Sequence, residues 1–395
     1  TRLATGRKIG RTTLRARGPG RGLQATWTID VVAGGLGFRP ARIGMGLNER
    51  RAIEVVFTND RGEALAPATG ITWTSLRPAV AQVDAQGTVT GADYGYAPIV
   101  ASTSWGRSDT VPVYVQGDLL LSSTRAGSPD LYALDRSNLS RWNRLTTDSV
   151  HGEFEAAYSH DGSRIAYVSD RDGNPELYVM NADGSGARRL TDSPATEGSP
   201  SWTQDGARLV YASNTSGNFQ IWIVGLDGAE PRQLTQEPSS NFQPAVSPDG
   251  SLIAFSSDRD RNYEIYVMGL DGSNPRNVSN SPATAETSPS WFPDGQLAYV
   301  QQESGPRGSI TSRVMKVNLT GGGPPVAAIS PGAVAVGDIE LSRNGETLAL
   351  VATSFEQSGA VARLLLYSLT APGTAPVEIP RTGPADRLNS PSFRR

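Results

Sequence analysis

The side chains able to do chemistry are few in this sequence. Its 395 residues include no cysteine and only two histidines, His151 and His160. Thiolate nucleophiles, disulfides and cysteine-based metal sites are excluded, as is any mechanism that needs several imidazoles. No Gly-x-Ser-x-Gly elbow is present to expose a serine nucleophile. Carboxylates remain, and they recur in register. Glu153, Glu197, Asn241 and Glu286 share one repeated position; Glu155, Ser199, Gln243 and Ser288 follow two residues later, and Asp338 falls at that second position further along. Acids and amides held in a ring would concentrate negative potential at one opening, which a cation or a basic segment would relieve. The predicted binding set is therefore Glu153, Glu155, Glu197, Asn241, Gln243, Glu286 and Asp338. Its alternative use is the binding or cleavage of an envelope carbohydrate. Asp170, Asp172 and Glu176, like Asp258, Asp260 and Glu264, look like calcium-loop ligands, but the EF-hand spacing is missing. They read as hairpin caps with local salt bridges. No metal, no cofactor and no catalytic residue is expected.

The elements that must position these acids come from an internal repeat. The Asp-Gly pairs at 161–162, 205–206 and 249–250 stand 44 residues apart, with Asp294-Gly295 and Asn344-Gly345 continuing the series. Between them lie matching short runs: Arg164-Ile-Ala-Tyr-Val168, Arg208-Leu-Val-Tyr-Ala212 and Leu252-Ile-Ala-Phe-Ser256, then Glu176-Leu-Tyr-Val-Met180, Gln220-Ile-Trp-Ile-Val224 and Glu264-Ile-Tyr-Val-Met268. They are β-branched and aromatic, and Asp-Gly supplies the positive φ of a tight turn. A repeat of roughly 44 residues with four short strands is one propeller blade. Five units follow directly, at about 153–191, 197–235, 241–279, 286–329 and 336–379. Residues 118–146 match the last three strands of a blade, and Ser390-Pro-Ser-Phe393 matches first strands such as Ser199-Pro-Ser-Trp202. The tail, 390–395, is therefore predicted to complete the first blade and close a ring of six.

The stretch 159–184, with Ser-x-Asp-Gly, Ile-Ala-Tyr-x-Ser-Asp-Arg-Asp-Gly-Asn and Glu-Leu-Tyr-Val-Met-Asn, resembles the TolB-type propeller repeat, and 247–272 is nearly as close. The resemblance covers roughly 118–395. It implies a six-bladed ring used in periplasmic protein–protein contacts. The α/β domain that precedes the propeller in TolB proper is missing, and Gln301 to Arg307 replace the Ser-Asp-Arg-Asp-Gly turn.

Ahead of the repeat, residues 43–116 contain short strands parted by turns, including Glu54-Val-Val-Phe57, Ile71-Thr-Trp-Thr74, Val80-Ala-Gln-Val83 and Thr110-Val-Pro-Val-Tyr-Val115. The string Thr72-Trp-Thr-Ser, Val80-Ala-Gln-Val-Asp and Gly87-Thr-Val-Thr-Gly91 is similar to bacterial immunoglobulin-like domains, which implies a spacer or adhesive β-sandwich. Residues 1–42 hold nine basic residues against one acid. They read as an extended basic arm, with Leu23 to Val32 adding a strand. Arg2, Arg7, Lys8, Arg11, Arg15, Arg17 and Arg21 would dock it on anionic lipid or an acidic partner.

The expected fold is all-β: a basic arm (1–42), an immunoglobulin-like β-sandwich (43–116) and a six-bladed β-propeller (117–395). A formal net charge of −3 gives no bulk field toward nucleic acid. No run of about 18 apolar residues is present to span a bilayer as a helix. The start at Thr1 suggests that a signal or anchor has been removed, and the missing cysteines fit an oxidising compartment. The sequence thus predicts a non-catalytic protein-binding scaffold, periplasmic or extracellular, which serves as an accessory subunit on a membrane-embedded complex.

Overall fold

A computed structural model describes residues 10–17, 24–31, 35–58, 64–65, 70–104, 106–136, 138–227, 231–306, 309–320, 323–332, 334–356, 359–371, 373–382 and 386–394. It divides into two compact units, Thr1–Val115 and Gln116–Arg395. Among the described residues there is no α-helix.

In the first unit, Gly10–Arg17 pairs antiparallel with Gln24–Val31. The strand expected at Leu23 to Val32 is present as Gln24–Val31, and it has a partner strand in Gly10–Arg17, which the sequence read as part of an extended arm. Arg11, Arg15 and Arg17 lie on its first strand; Arg2, Arg7, Lys8 and Arg21 lie outside the described residues. Further on, a four-stranded sheet runs in the order Ile43–Met45, Ser108–Val115, Gly95–Thr103, Ile71–Ser75, and a three-stranded sheet joins Arg50–Ala52, Thr88–Gly91 and Ala81–Val83. Gly95–Thr103 alternates buried and half-buried residues, as a strand covered on one face should. Ile43, Ala97, Ile99 and Val113 from the larger sheet meet Ala81 and Val89 from the smaller in one core.

The second unit is six four-stranded antiparallel sheets. They are numbered here from the chain's first, with the innermost strand named first. Blade 1 is Leu388–Phe393, Leu119–Ser123, Asp130–Asp135 and Asn138–Arg144; blade 2 is Glu153–Tyr158, Arg164–Ser169, Glu176–Asn181 and Arg188–Arg189. Blade 3 is Glu197–Trp202, Arg208–Ser213, Gln220–Gly225 and Arg232–Gln233; blade 4 is Asn241–Val246, Leu252–Ser257, Glu264–Gly269 and Arg276–Asn277. Blade 5 is Ala285–Trp291, Leu297–Ser304, Ile310–Val317 and Val326–Gly332; blade 6 is Ala335–Leu341, Thr347–Glu356, Gly359–Ser368 and Val377–Glu378. Each innermost strand touches that of the next blade, and Leu388–Phe393 touches both Ala335–Leu341 and Glu153–Tyr158, so the ring is closed.

The repeated residues explain the repeated geometry. Asp161 accepts from Ser159 Oγ and from the backbone N–H of Ser163, at 2.7 and 3.0 Å, while Gly162 takes φ +68°. Asp205 and Asp249 do the same in blades 3 and 4. This local bonding fixes the turn between first and second strands. The Leu-Thr unit that ends blades 1 to 3, Val-Ser in blade 4, has a comparable cause. The fourth strand stops before the start of strand three, and the hydroxyls of Thr146, Thr191, Thr235 and Ser279 accept from the backbone N–H of Leu131, Leu177, Ile221 and Ile265 at 2.8–2.9 Å. Gly184, at φ +86°, serves the junction between blades: a Cβ there would lie 2.6 Å from the Leu145 carbonyl oxygen of blade 1. Between blades, Trp202 and Trp291 donate their indole N–H to the carbonyls of Ala157 and Ala245 at 3.0 and 2.9 Å.

The closing strand runs Leu388–Phe393, beginning slightly earlier than the tail the sequence singled out. Leu388 sets the difference, because it is fully buried with Leu119, Leu121, Leu364 and Ile379. Just before it, Asp386 receives the Ser123 hydroxyl at 2.5 Å and faces Arg125 at 3.5 Å.

Candidate functional site

The innermost strands are edge strands around a central channel, and each carries an irregularity. In blades 2 to 5 the pairing of first and second strands shifts register, between Phe154 and Ala157 in blade 2 and at the equivalent places in the others. At the bulge, Glu155, Ser199, Gln243, Ser288 and Ser390 take φ values of +50° to +52°. A left-handed backbone costs an L-residue with a side chain roughly 1–2 kcal/mol. Ser199, Gln243, Ser288 and Ser390 are each followed by proline, at 200, 244, 289 and 391. Proline has no N–H to offer, so bulge and proline together stop the edge from pairing with another strand.

These bulges line a cavity of about 230 Å³ with Glu155, Ser199, Gln243, Ser288, Asp338, Glu340 and Ser390, and all six blades contribute to it. Ser199 donates its backbone N–H to Glu155 Oε2 at 2.5 Å, Ser288 donates its own to Gln243 Oε1 at 3.0 Å, and Ser288 Oγ donates to the Gly337 carbonyl at 2.9 Å. Three carboxylates face this space, and no lysine or arginine is among its lining residues. Burial pushes the Asp338 carboxyl up to about 8, with Glu340 and then Glu155 adding repulsion.

Only part of the predicted set is in the channel. Glu155, Gln243 and Asp338 line it; Glu153, Glu197, Asn241 and Glu286 do not, and are at most 2% exposed between blades. The expectation that all seven would share one opening rested on the alternation of a regular strand. The bulge breaks that parity, so residues two apart face different surroundings. The buried four instead sit at the junctions between blades. Glu153 accepts from Arg171 within its own blade at 2.9 Å, while its carbonyl accepts from Ser122 Oγ of blade 1 at 3.1 Å, and Asn241 Nδ2 donates to Gln220 Oε1 of blade 3 at 2.9 Å. Glu197 receives the hydroxyls of Ser193 and Ser213 at 2.8 and 3.0 Å. Burial raises Glu197 to about 7, reinforced by the carboxyl of Glu176 of blade 2 beside it. Burial likewise raises Glu286 to about 7, with Glu264 of blade 4 nearby.

Sequence reasoning missed Glu340, Ser390 and His160 as lining residues. The signal for Ser390 was present, since Ser390-Pro391 repeats Ser199-Pro200. His160 precedes a turn aspartate where other copies have Gln204, Pro248 and Pro293, and Glu340 has no acidic counterpart in the regular copies. Among the described residues, no group of three or more histidines, aspartates or glutamates is set to hold a metal ion.

A closed ring of six antiparallel blades around a polar channel defines a β-propeller. The sequence profile of the TolB beta propeller domain matches residues 116–236 and 190–333, more than half of the chain, so the chain belongs to that family. Over 74 residues it is 39% identical to the Tol-Pal system protein TolB of Anaeromyxobacter dehalogenans strain 2CP-C; the match covers 19% of this chain and 16% of that protein. Crystallised TolB from Acinetobacter baumannii superposes with a TM-score of 0.60 at 16% identity, covering 82% of each chain. A chain of the nidogen/laminin complex superposes at 0.54 with 13% identity, covering 70% of this chain and 98% of that one. These structural likenesses show the fold.

Proposed function

We propose that this chain is a non-catalytic protein-binding scaffold outside the cytoplasm, and that its propeller receives a basic segment of its partner at the channel mouth. One observation carries the reading: Glu155 and Asp338, with Glu340 beside them, face a single channel, and no lysine or arginine is among its described lining residues. A cationic segment would relieve the repulsion among these acids and favour the ionised form of Asp338, which burial, Glu340 and Glu155 push up to about 8, and the bulged rim holds the side chains in place before it arrives. Membership of the TolB propeller family, and the Tol-Pal system named for the relatives, support a protein partner in the periplasm. The basic residues of the first unit, Arg11, Arg15 and Arg17 among them, suit an anionic membrane surface and the role of accessory subunit on a membrane complex.

The test is affinity capture from gently solubilised cell envelopes, with the wild-type chain and an Asp338→Lys variant as baits. A protein retained at physiological salt by the first and lost by the second is expected. Equal recovery by both baits, or no retained protein, would refute the reading.

A further inference from the structure

A second cavity, of about 210 Å³, opens at the start of the inner strands of blades 2 to 4. Its origin is one missing side chain. Phe154 in blade 2 and Phe242 in blade 4 hold the second position of their inner strands, each half-buried, and the same position in blade 3 is Gly198. The ladder pairs confirm the equivalence: Phe154 faces Val168, Gly198 faces Ala212 and Phe242 faces Ser256. The gap over Gly198 is a notch walled by Phe154, Phe219 and Phe242. Phe219 and Phe242 brace each other with centroids 5.1 Å apart, and Tyr263 meets Phe242 edge-on at 6.1 Å.

Acids border these aromatic walls. Glu155 lines both this notch and the channel; its Oε2 is fixed by the Ser199 N–H, and its Oε1 carries no hydrogen bond among the described residues. Glu197, 2% exposed, also lines the notch, and its Oε2 accepts no hydrogen bond from a described donor. Blade 3 differs from its neighbours in a second respect. In blades 2 and 4 the turn after the second strand supplies an arginine that reaches the inner strand: Arg171 bonds Glu153 at 2.9 Å and Arg259 bonds Asn241 at 3.0 Å. Those guanidiniums also stack on Tyr178 and Tyr266, at 4.6 and 4.2 Å from the ring centroids. The equivalent residue in blade 3 is Thr215, and no arginine or lysine lines the notch. Among blades 2 to 4, the one without its own arginine is therefore the one with an open aromatic notch, bordered by Glu155 and Glu197.

We propose that the notch over Gly198 binds an arginine side chain of the partner protein, with the guanidinium flat against the phenylalanine walls and hydrogen-bonded to Glu155. An aliphatic stem buries well among aromatic rings, and a planar guanidinium both stacks and donates in parallel to a carboxylate, which a lysine ammonium does not. This deepens the reading above, which it presupposes, by naming the partner's contact residue.

The experiment titrates the full chain with acetyl-Gly-Arg-Gly-amide and with its citrulline counterpart, which keeps the shape and loses the charge. Binding is followed through the ligand's proton NMR signals. Saturable binding of the arginine peptide is expected, with the citrulline peptide about tenfold weaker or more, as loss of a charge-assisted hydrogen bond implies. Gly198→Phe, which fills the notch and sets a Cβ 2.9 Å from Glu155 Oε2, and Glu155→Gln, which keeps its volume, should each weaken the arginine peptide by about tenfold or more. Equal affinity for the two peptides overturns the proposal, as does binding unchanged in both variants or no saturable binding. Capture of a partner that is lost by Asp338→Lys, with no arginine-peptide binding, would remove the notch and leave the scaffold reading standing. Arginine-peptide binding with no captured partner would support the notch and remove the scaffold reading.

Discussion

Replacing Leu388 by alanine should loosen the ring at its seam. Leu388 is fully buried and packs with Leu119 and Leu121 of blade 1 and with Leu364 and Ile379 of blade 6. Truncating a buried leucine to alanine typically costs about 2–5 kcal/mol, from lost transfer energy and the cavity left behind. The upper half of that range applies here, because two blades frame the site and neither can collapse without disturbing its own ladder. Phe393, 2% exposed at the other end of the strand, carries a similar cost of about 3–5 kcal/mol. The two sites pair at opposite ends of the strand, Leu388 with Ser123 and Phe393 with Leu119, but both belong to the one core that contains Leu119, so the sum of their costs is an upper bound. The double variant should then lose more than either single change and at most about 10 kcal/mol, a large part of the roughly 5–15 kcal/mol that holds a typical domain together. The assay is hydrogen exchange in rising urea, read by mass spectrometry on peptides covering 119–123 and 388–393. The expected result is early exchange of both peptides together, at lower urea than the blade 3 peptides. Unchanged protection of 119–123 in the double variant would refute the argument that the last strand fastens the circle.

Glu197 and Glu286 are held near 7, against an ordinary value near 4.5 when unfolded, so the folded ring keeps more protons than the unfolded chain between those limits. Their stabilising contribution is complete below about pH 4.5 and lost as pH rises through 7, so the propeller's melting temperature should fall between pH 5 and pH 8. The Glu197→Gln, Glu286→Gln variant should flatten that slope, as calorimetry across the range would show. At the bulge, Ser199→Gly should keep or raise stability and Ser199→Val should lower it by roughly 1–2 kcal/mol or more, because φ is +51° there; urea midpoints of the pair decide it. Gly117→Ala would set a Cβ 2.2 Å from the Leu134 carbonyl oxygen, so loss of soluble folded protein is expected, and wild-type yield and melting temperature would contradict it.

The ring was legible because blades 2 to 4 repeat the same causes, an Asp-Gly turn, a β-branched run and a terminal Leu-Thr or Val-Ser, and the other blades keep some of them. Even the seam could be read, since Ser390-Pro-Ser-Phe393 copies the first strand of other blades. The candidate site was legible only in part. Placing Glu153 beside Glu155 assumed a strict period of two, and a single left-handed residue at 155 reversed it. The proline after the bulge in four copies marked that break, since proline inside an inner strand signals an interrupted ladder. Other features depend on tertiary neighbours and leave no local trace. Nothing in Glu197 itself announces that Glu176 of the preceding blade lies against it, or that the absence of an arginine at 215 matters. The hairpin of Gly10–Arg17 and Gln24–Val31 was masked by composition, because a density of arginines reads as a solvated tail.

The meeting of Arg394 with the propeller's opening residues has a further consequence. The Arg394 amide donates to the Asp118 carbonyl at 2.9 Å, and its guanidinium reaches the Gln116 carbonyl at 3.3 Å. Where the circuit is cut is therefore a matter of gene order rather than of architecture. A permuted chain, spliced across that seam and reopened in the connection between blades 3 and 4, would trace the same wheel with every ladder intact.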